Sequence, residues 1–105
     1  MKRGEIWLVN LDPTVGSEVR KTRPCVVVSA SEMHDHLRTA LVAPMTTAGR
    51  EAPFRIGVKH GGRKGLILLD QLRAVDKPRL VKRLGAVSPK TLTTTLRTLQ
   101  EAFAD

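Results

Sequence analysis

The sequence predicts a mainly β domain, a small antiparallel barrel of short strands followed by one C-terminal α-helix. Three observations carry that expectation. Runs of β-branched and apolar residues recur between glycine and proline turn signals along most of the chain. One of them, Ala52 to His60, alternates apolar with polar residues, and helical spacing occurs only at the C-terminus. With 105 residues, the chain has room for a single domain over 1–105 with a modest core. Several short strands closing on themselves beside a terminal helix make a barrel the economical arrangement.

The elements follow in order. GEIWLVNL (Gly4 to Leu11) reads as a strand, broken by Pro13 and Gly16 in a polar loop. PCVVVSA (Pro24 to Ala30) is the second. The residue before a proline is held in extended geometry, which sets Arg23 where loop becomes strand. TALVAPM (Thr39 to Met45) is the third. In APFRIGVKH (Ala52 to His60), Phe54, Ile56 and Val58 share one face and Arg55, Gly57 and Lys59 the other, as in a half-buried antiparallel strand. Gly61 and Gly62 turn the chain into GLILLDQLRAV (Gly65 to Val75), whose apolar front half crosses the core and whose Asp70, Gln71 and Arg73 emerge at the far end. Pro78 ends that run, and Arg79 to Val87 forms the last strand. Leu92, Leu96, Leu99 and Phe103 then fall on one helix face, with Ser88 as N-cap and Pro89 at the first helical position. Threonines at 91, 93, 94, 95 and 98 are poor helix formers, so this helix depends on packing. Phe54 and Phe103 are assigned to the core.

Charge narrows the partners. The chain carries 18 Lys+Arg against 10 Asp+Glu, net charge +8, with a pI near 10.6. A polyanion, an acidic protein or an anionic membrane surface would all suit that balance, as would an ordinary basic surface. No apolar run approaches the ~20 residues that span a bilayer, and the start at Met1-Lys2-Arg3 gives no sign of a signal segment. Cys25, the only cysteine, rules out an internal disulfide and fits a reducing cytosol. Beside Val26, Val27 and Val28 it reads as a buried, inert thiol. His34 and His36 make an H-D-H triplet, read as part of a solvated loop because no third ligand accompanies it. The acids are scattered, without the cluster a two-metal nuclease requires, so no metal and no cofactor are expected.

The stretch from Arg3 to Val27, RGEIWLVNLDPTVGSEVRKTRPCVV, together with PMTT (Pro44 to Thr47) and LLDQLR (Leu68 to Arg73), resembles the MazF/PemK family of toxin endoribonucleases from bacterial toxin–antitoxin pairs. The resemblance runs from about Lys2 to Val87. It implies an SH3-like barrel, a homodimer in the cytoplasm, single-stranded RNA (mRNA) as substrate and a cognate acidic antitoxin as partner. It also carries roles residue by residue. The family's arginine before proline falls on Arg23, the threonine of its P-x-T-[ST] motif on Thr46, and a carboxylate near the scissile phosphate on Glu18. Where some members place a histidine, this chain has Ser17 and Thr22, which leaves the general base unassigned.

Metal-free cleavage of RNA uses the substrate's own 2′-hydroxyl, expected to yield a 2′,3′-cyclic phosphate and a 5′-hydroxyl. The protein must then help remove that proton, stabilise charge on the phosphoryl oxygens and protonate the leaving 5′-oxygen. A guanidinium suits the middle task, with paired donors and a permanent charge, so Arg23 is read as transition-state stabiliser, Thr46 as a second donor and Glu18 as proton acceptor or orienting group. Ser17, Arg20, Lys21, Thr47, Arg50, Asp70, Gln71 and Arg73 are expected to bind RNA or support the site, and Arg55 is a further candidate for phosphate contact. Each has an ordinary alternative: Arg23 pairing with Glu18 on the surface, Thr46 and Thr47 ending a strand, Asp70 and Gln71 closing a turn. Two other functions compete, a gyrase-binding toxin of the CcdB kind and a barrel that binds nucleic acid without cutting it. Retention of Arg23-Pro24 and PMTT argues against the first, and the scarcity of aromatics against a general stacking platform.

Overall fold

The computed structural model describes residues 1–11 and 22–105. Seven strands, β1 (Glu5–Asn10), β2 (Thr22–Val27), β3 (Thr39–Thr46), β4 (Arg55–His60), β5 (Arg63–Leu68), β6 (Arg73–Asp76) and β7 (Leu80–Ala86), precede the long helix α2 (Pro89–Phe103). A short helix, α1 (Ser31–His36), joins β2 to β3. The strands form one antiparallel sheet in the order β4-β5-β3-β2-β1-β7, with β6 also paired to β3. The sheet is curled into half a barrel. Its two outer strands come together at one point, where a Cβ added to Gly85 of β7 would lie 3.4 Å from the His60 ring at the end of β4.

β3 organises the sheet because its two edges are used differently. One edge pairs with β2, Cys25 opposite Pro44 and Val27 opposite Val42. The other is shared: Thr39 to Val42 face β6, whereas Met45 and Thr46 face Ile67 and Leu66 of β5. Continuing the β5 register would set Val42 opposite Asp70, yet its partner is Arg73. The 3-10 turn at Leu69–Gln71 takes up the difference. The run expected as one strand from Gly65 to Val75 is therefore two strands with a turn between. The break lies beside Pro44, which has no N–H to give a ladder.

Both faces of the sheet are covered. Ile6, Val26, Val28, Ala43, Met45, Ile67 and Leu69 form one buried cluster, against which Ile56, Val58 and Leu99 pack. Val9, Leu11, Cys25, Val27, Val42 and Val75 form the other, bordered by Trp7 and Leu80. Helix α2 begins as expected: Ser88 Oγ accepts from the Thr91 amide at 3.1 Å, and Pro89 opens the first turn. Thr93, Thr94, Thr95 and Thr98 each donate their hydroxyl to the carbonyl four residues back. That internal pairing lets Thr95 be fully buried.

Three expectations are corrected. Phe103 is 77 % exposed, since the apolar contact of α2 ends at Leu99. Phe54 is 40 % exposed; its φ of +66° turns it out of the alternation that continues in Ile56 and Val58. His34 belongs to a helical turn rather than a solvated loop, and it is buried. Its Nε2 lies 2.6 Å from Ser29 Oγ, which also accepts from the Leu41 amide. His36 points to solvent, its Nδ1 on the Glu32 carbonyl.

Glu5 ties β1 to β7. Partial burial alone would raise its carboxyl, but hydrogen bonds from Arg83 Nε (2.7 Å), the Lys2 amide (2.6 Å) and Trp7 Nε1 (3.2 Å) outweigh this and bring its pKa from 4.5 down to about 2. A carboxylate depressed in the folded state stabilises it above its unfolded value and loses that contribution as pH falls. We therefore expect about 3 kcal/mol, at ~1.4 kcal/mol per pH unit, to be lost between pH 4.5 and 2. Denaturant unfolding of Glu5→Gln should show a correspondingly flatter pH dependence in that window; a slope equal to the parent's would contradict it.

Candidate active site

A proline opens the site. The β2–β3 ladder ends at Cys25 and Pro44, and one more step of that register would set Pro24 against Met45 and two would set Arg23 against Thr46. Pro24, on the edge of β2 that faces β3, supplies no amide to continue the ladder. Just past its end, Arg23 and Thr46 both line a cavity of about 230 Å³. Pro24, Met45 and Val58 make its apolar lining, and Arg23, Thr46, Thr47, His60 and Arg63 its polar one. Two guanidinium groups and no carboxylate are among these described residues, so the cavity suits an anion.

Each predicted donor is free to act. Arg23 is half-buried, held in β2 opposite Val9 of β1, and among the described residues no carboxylate pairs with it. Thr46 Oγ1 accepts from the Ala48 amide at 3.1 Å. That bond occupies a lone pair and leaves the hydroxyl proton to be donated. The ordinary role and the chemical one are therefore compatible in the same side chain. Gly65 of β5 forms the back of the cavity. A Cβ there would stand 2.6 Å from the Thr46 carbonyl oxygen and 3.8 Å from Thr47 Cα, so the close approach of β5 to Thr46 requires glycine.

The other expected residues divide. Asp70 is outside the cavity and accepts two bonds from Arg55, Nε to Oδ1 at 3.2 Å and Nη2 to Oδ2 at 3.1 Å. This forked pair holds the Asp70 carboxyl below its ordinary value and engages the guanidinium that was a candidate for phosphate. Gly49 lies between the pair and the site: a Cβ there would be 3.7 Å from Arg55 Nη1 and 3.8 Å from Thr46 Cγ2. Arg73 Nη1 points to the Leu11 carbonyl at 3.4 Å, at the base of the first loop. Gln71 is half-buried in the 3-10 turn and Arg50 is exposed beyond the cavity. Glu18, Ser17, Arg20 and Lys21 lie outside the described residues.

Cys25 is fully buried, and desolvation pushes its thiol up to about 12 although Arg73 and Arg23 act in the opposite direction. It is inert core. Among the described residues no three His, Cys, Asp or Glu side chains come together as metal ligands.

His60 and Arg63 were missed by the sequence reading. They are cross-strand partners at the tip of the β4–β5 hairpin. The signal was present in the alternation of Ile56 and Val58, which carried on by two residues puts His60 on the same face; that this face emerges beside Arg23 depends on the curl of the sheet.

Comparison with known proteins agrees with the fold and the family. The family model for the PemK-like, MazF-like toxin of type II toxin–antitoxin systems matches residues 2–103. Endoribonuclease PemK of Escherichia coli is 41% identical over 98 residues, covering 88% of this chain and 73% of that protein. Endoribonuclease EndoA of Bacillus subtilis (strain 168) is 31% identical over 110 residues, covering 99% and 95%. Among solved structures, MazF from Deinococcus radiodurans superposes with a TM-score of 0.84 at 22% identity, covering 97% of this chain and 94% of that one. An endoribonuclease from a mycobacterial species, in complex with its cognate antitoxin, superposes at 0.81 and 21% identity, covering 97% and 93%. With the family model matching nearly its whole length and a curated relative 41% identical, the chain belongs to the PemK-like, MazF-like toxins of type II toxin–antitoxin systems.

Proposed function

We propose that this chain is a sequence-selective endoribonuclease that cuts single-stranded mRNA without a metal ion, as the toxin of a toxin–antitoxin pair. The observation that carries the proposal is the cavity just past the end of the β2–β3 ladder, lined by Arg23, Thr46 and Arg63 and free of carboxylates among the described residues. A phosphodiester seated there receives the paired donors of Arg23 and the hydroxyl of Thr46. Both strengthen as charge gathers on the non-bridging oxygens when the 2′-oxygen attacks. Glu18, which closely precedes Arg23 in the chain, is the proposed acceptor of the 2′-hydroxyl proton. Arg55 and Asp70 brace the β3–β4 loop, Arg73 holds the base of the first loop, and Ser17, Arg20, Lys21, Thr47, Arg50 and Gln71 contact or support the RNA. The endoribonuclease names of the relatives support this reading.

The net charge of +8 suits an acidic antitoxin segment that orders on binding across the same groove, and a relative solved with its cognate antitoxin supports a partner of that kind. The protein is proposed to act in the cytoplasm as a homodimer, using the outer edges of its sheet, unpaired among the described residues, and α2 for a twofold contact. Among the described residues no helix is long and apolar enough to cross a membrane.

Digestion of a long mixed-sequence RNA in excess EDTA tests the activity. We expect cuts at a small set of sequences, leaving 2′,3′-cyclic phosphate and 5′-hydroxyl ends, and suppression by the cognate antitoxin. A strict need for added magnesium, or 5′-phosphate ends, would rule the proposed chemistry out.

A further inference from the structure

We infer that His60 is the general acid of the reaction, giving its proton to the leaving 5′-oxygen. The inference rests on the endoribonuclease reading, with Glu18 as the proposed proton acceptor, and assigns the remaining proton transfer. It comes from the far wall of the cavity. In the strand order β4-β5-β3-β2, Arg23 of β2 lies on one side of Thr46, and the β4–β5 hairpin that carries His60 and Arg63 lies on the other. All four line the same cavity.

The chemistry of the lining singles out the imidazole. A guanidinium, as on Arg23 and Arg63, and a hydroxyl, as on Thr46 and Thr47, are donors rather than proton shuttles. An imidazole both gives and takes a proton near neutrality. Among the described residues neither ring nitrogen of His60 is held by a hydrogen bond, in contrast to His34 on Ser29 and His36 on Glu32. Its ring lies close to Gly85 of β7, where an added Cβ would stand 3.4 Å from it. The charged groups that line the cavity with it among the described residues are Arg63, its partner across the hairpin, and Arg23, and β3 adds the hydroxyls of Thr46 and Thr47.

In-line displacement sets the attacking and leaving oxygens on opposite sides of phosphorus. With Glu18 as the proposed acceptor of the 2′-hydroxyl proton, protonation of the leaving oxygen is the role left for the imidazole of the hairpin. The 2′-oxygen forms its bond to phosphorus as its proton passes to Glu18, the P–O5′ bond breaks with its electron pair on O5′, and the His60 imidazolium protonates that oxygen. The products are the cyclic phosphate and the 5′-hydroxyl, with a neutral imidazole that regains its proton from solvent. Arg63 beside it holds the phosphate of the departing strand.

The test compares two short RNAs that contain one mapped cleavage site, with either the normal 5′-oxygen or a 5′-bridging sulfur at the scissile bond. A thiolate leaves without protonation. With the full-length protein under single turnover, His60→Gln should lower the rate on the oxygen substrate by about 10²- to 10³-fold and on the sulfur substrate by less than tenfold. The ratio of the two rates within one protein sample is independent of the folded fraction, so a merely destabilised variant cannot imitate the result. Equal losses on the two substrates, or no loss on either, would overturn the assignment while leaving the endoribonuclease reading in place. Failure of the parent protein to cut either RNA would overturn that reading and this assignment with it.

Discussion

Arg23→Ala is expected to lower the single-turnover cleavage rate by about 10²- to 10³-fold, or roughly 2.7 to 4 kcal/mol by analogy with removal of one oxyanion donor. The size follows from what the side chain does in the cavity. It lines one cavity with Thr46 and has no carboxylate partner among the described residues, so its donors are available where charge develops. RNA affinity should fall much less, because Arg63 lines the same cavity and shares the ground-state attraction. Arg23→Lys should restore only part of the rate, since an ammonium keeps the charge and loses the planar pair of donors. Thermal unfolding serves as the control: the side chain is half-buried and makes no ion pair among the described residues, so its loss should leave the melting temperature nearly unchanged. A rate within threefold of the parent's in a folded Arg23→Ala protein would take Arg23 out of the reaction.

The second large effect is expected from a residue with no functional group. Gly65→Ala would place a Cβ 2.6 Å from the Thr46 carbonyl oxygen, closer than any unstrained contact. The obstruction is backbone, so no flexible side chain can relieve it, and β5 must move away from β3 at the very pair, Thr46 with Leu66, that fixes the Thr46 end of the cavity. A displacement near 1 Å of a group that binds the transition state costs about 10²-fold in rate, and overpacking of this kind destabilises by about 1–3 kcal/mol. Gly57→Ala, in the neighbouring strand opposite Leu66, is the matched control: its Cβ would meet nothing within 4 Å, and rate and stability should stay near the parent's. If both alanine variants cut RNA at the same rate, Thr46 is not positioned by the approach of β5.

What the sequence by itself determined was local. The period-2 and helical apolar patterns marked the strands and α2; Ser88-Pro89 marked the helix start, and Cys25 among valines marked a buried thiol. Each is written in the covalent neighbourhood of the residue concerned, through φ restriction, side-chain alternation and capping. Arg23-Pro24 and Pro44 to Thr47 were also legible, because a proline in a strand marks where a ladder ends. Tertiary structure decided everything that required two distant segments to meet. It split Gly65 to Val75 about a 3-10 turn so that β3 could pair with both parts. It buried His34 against Ser29, gave Asp70 to Arg55 and ended the cover of α2 before Phe103. Above all it curled the sheet until the β4–β5 hairpin faced β2 across Thr46. Alternation could state which face of a strand His60 occupies, but only the closure of the sheet determines what that face looks onto. Such closure is a sum of twist, register and packing over all the strands at once.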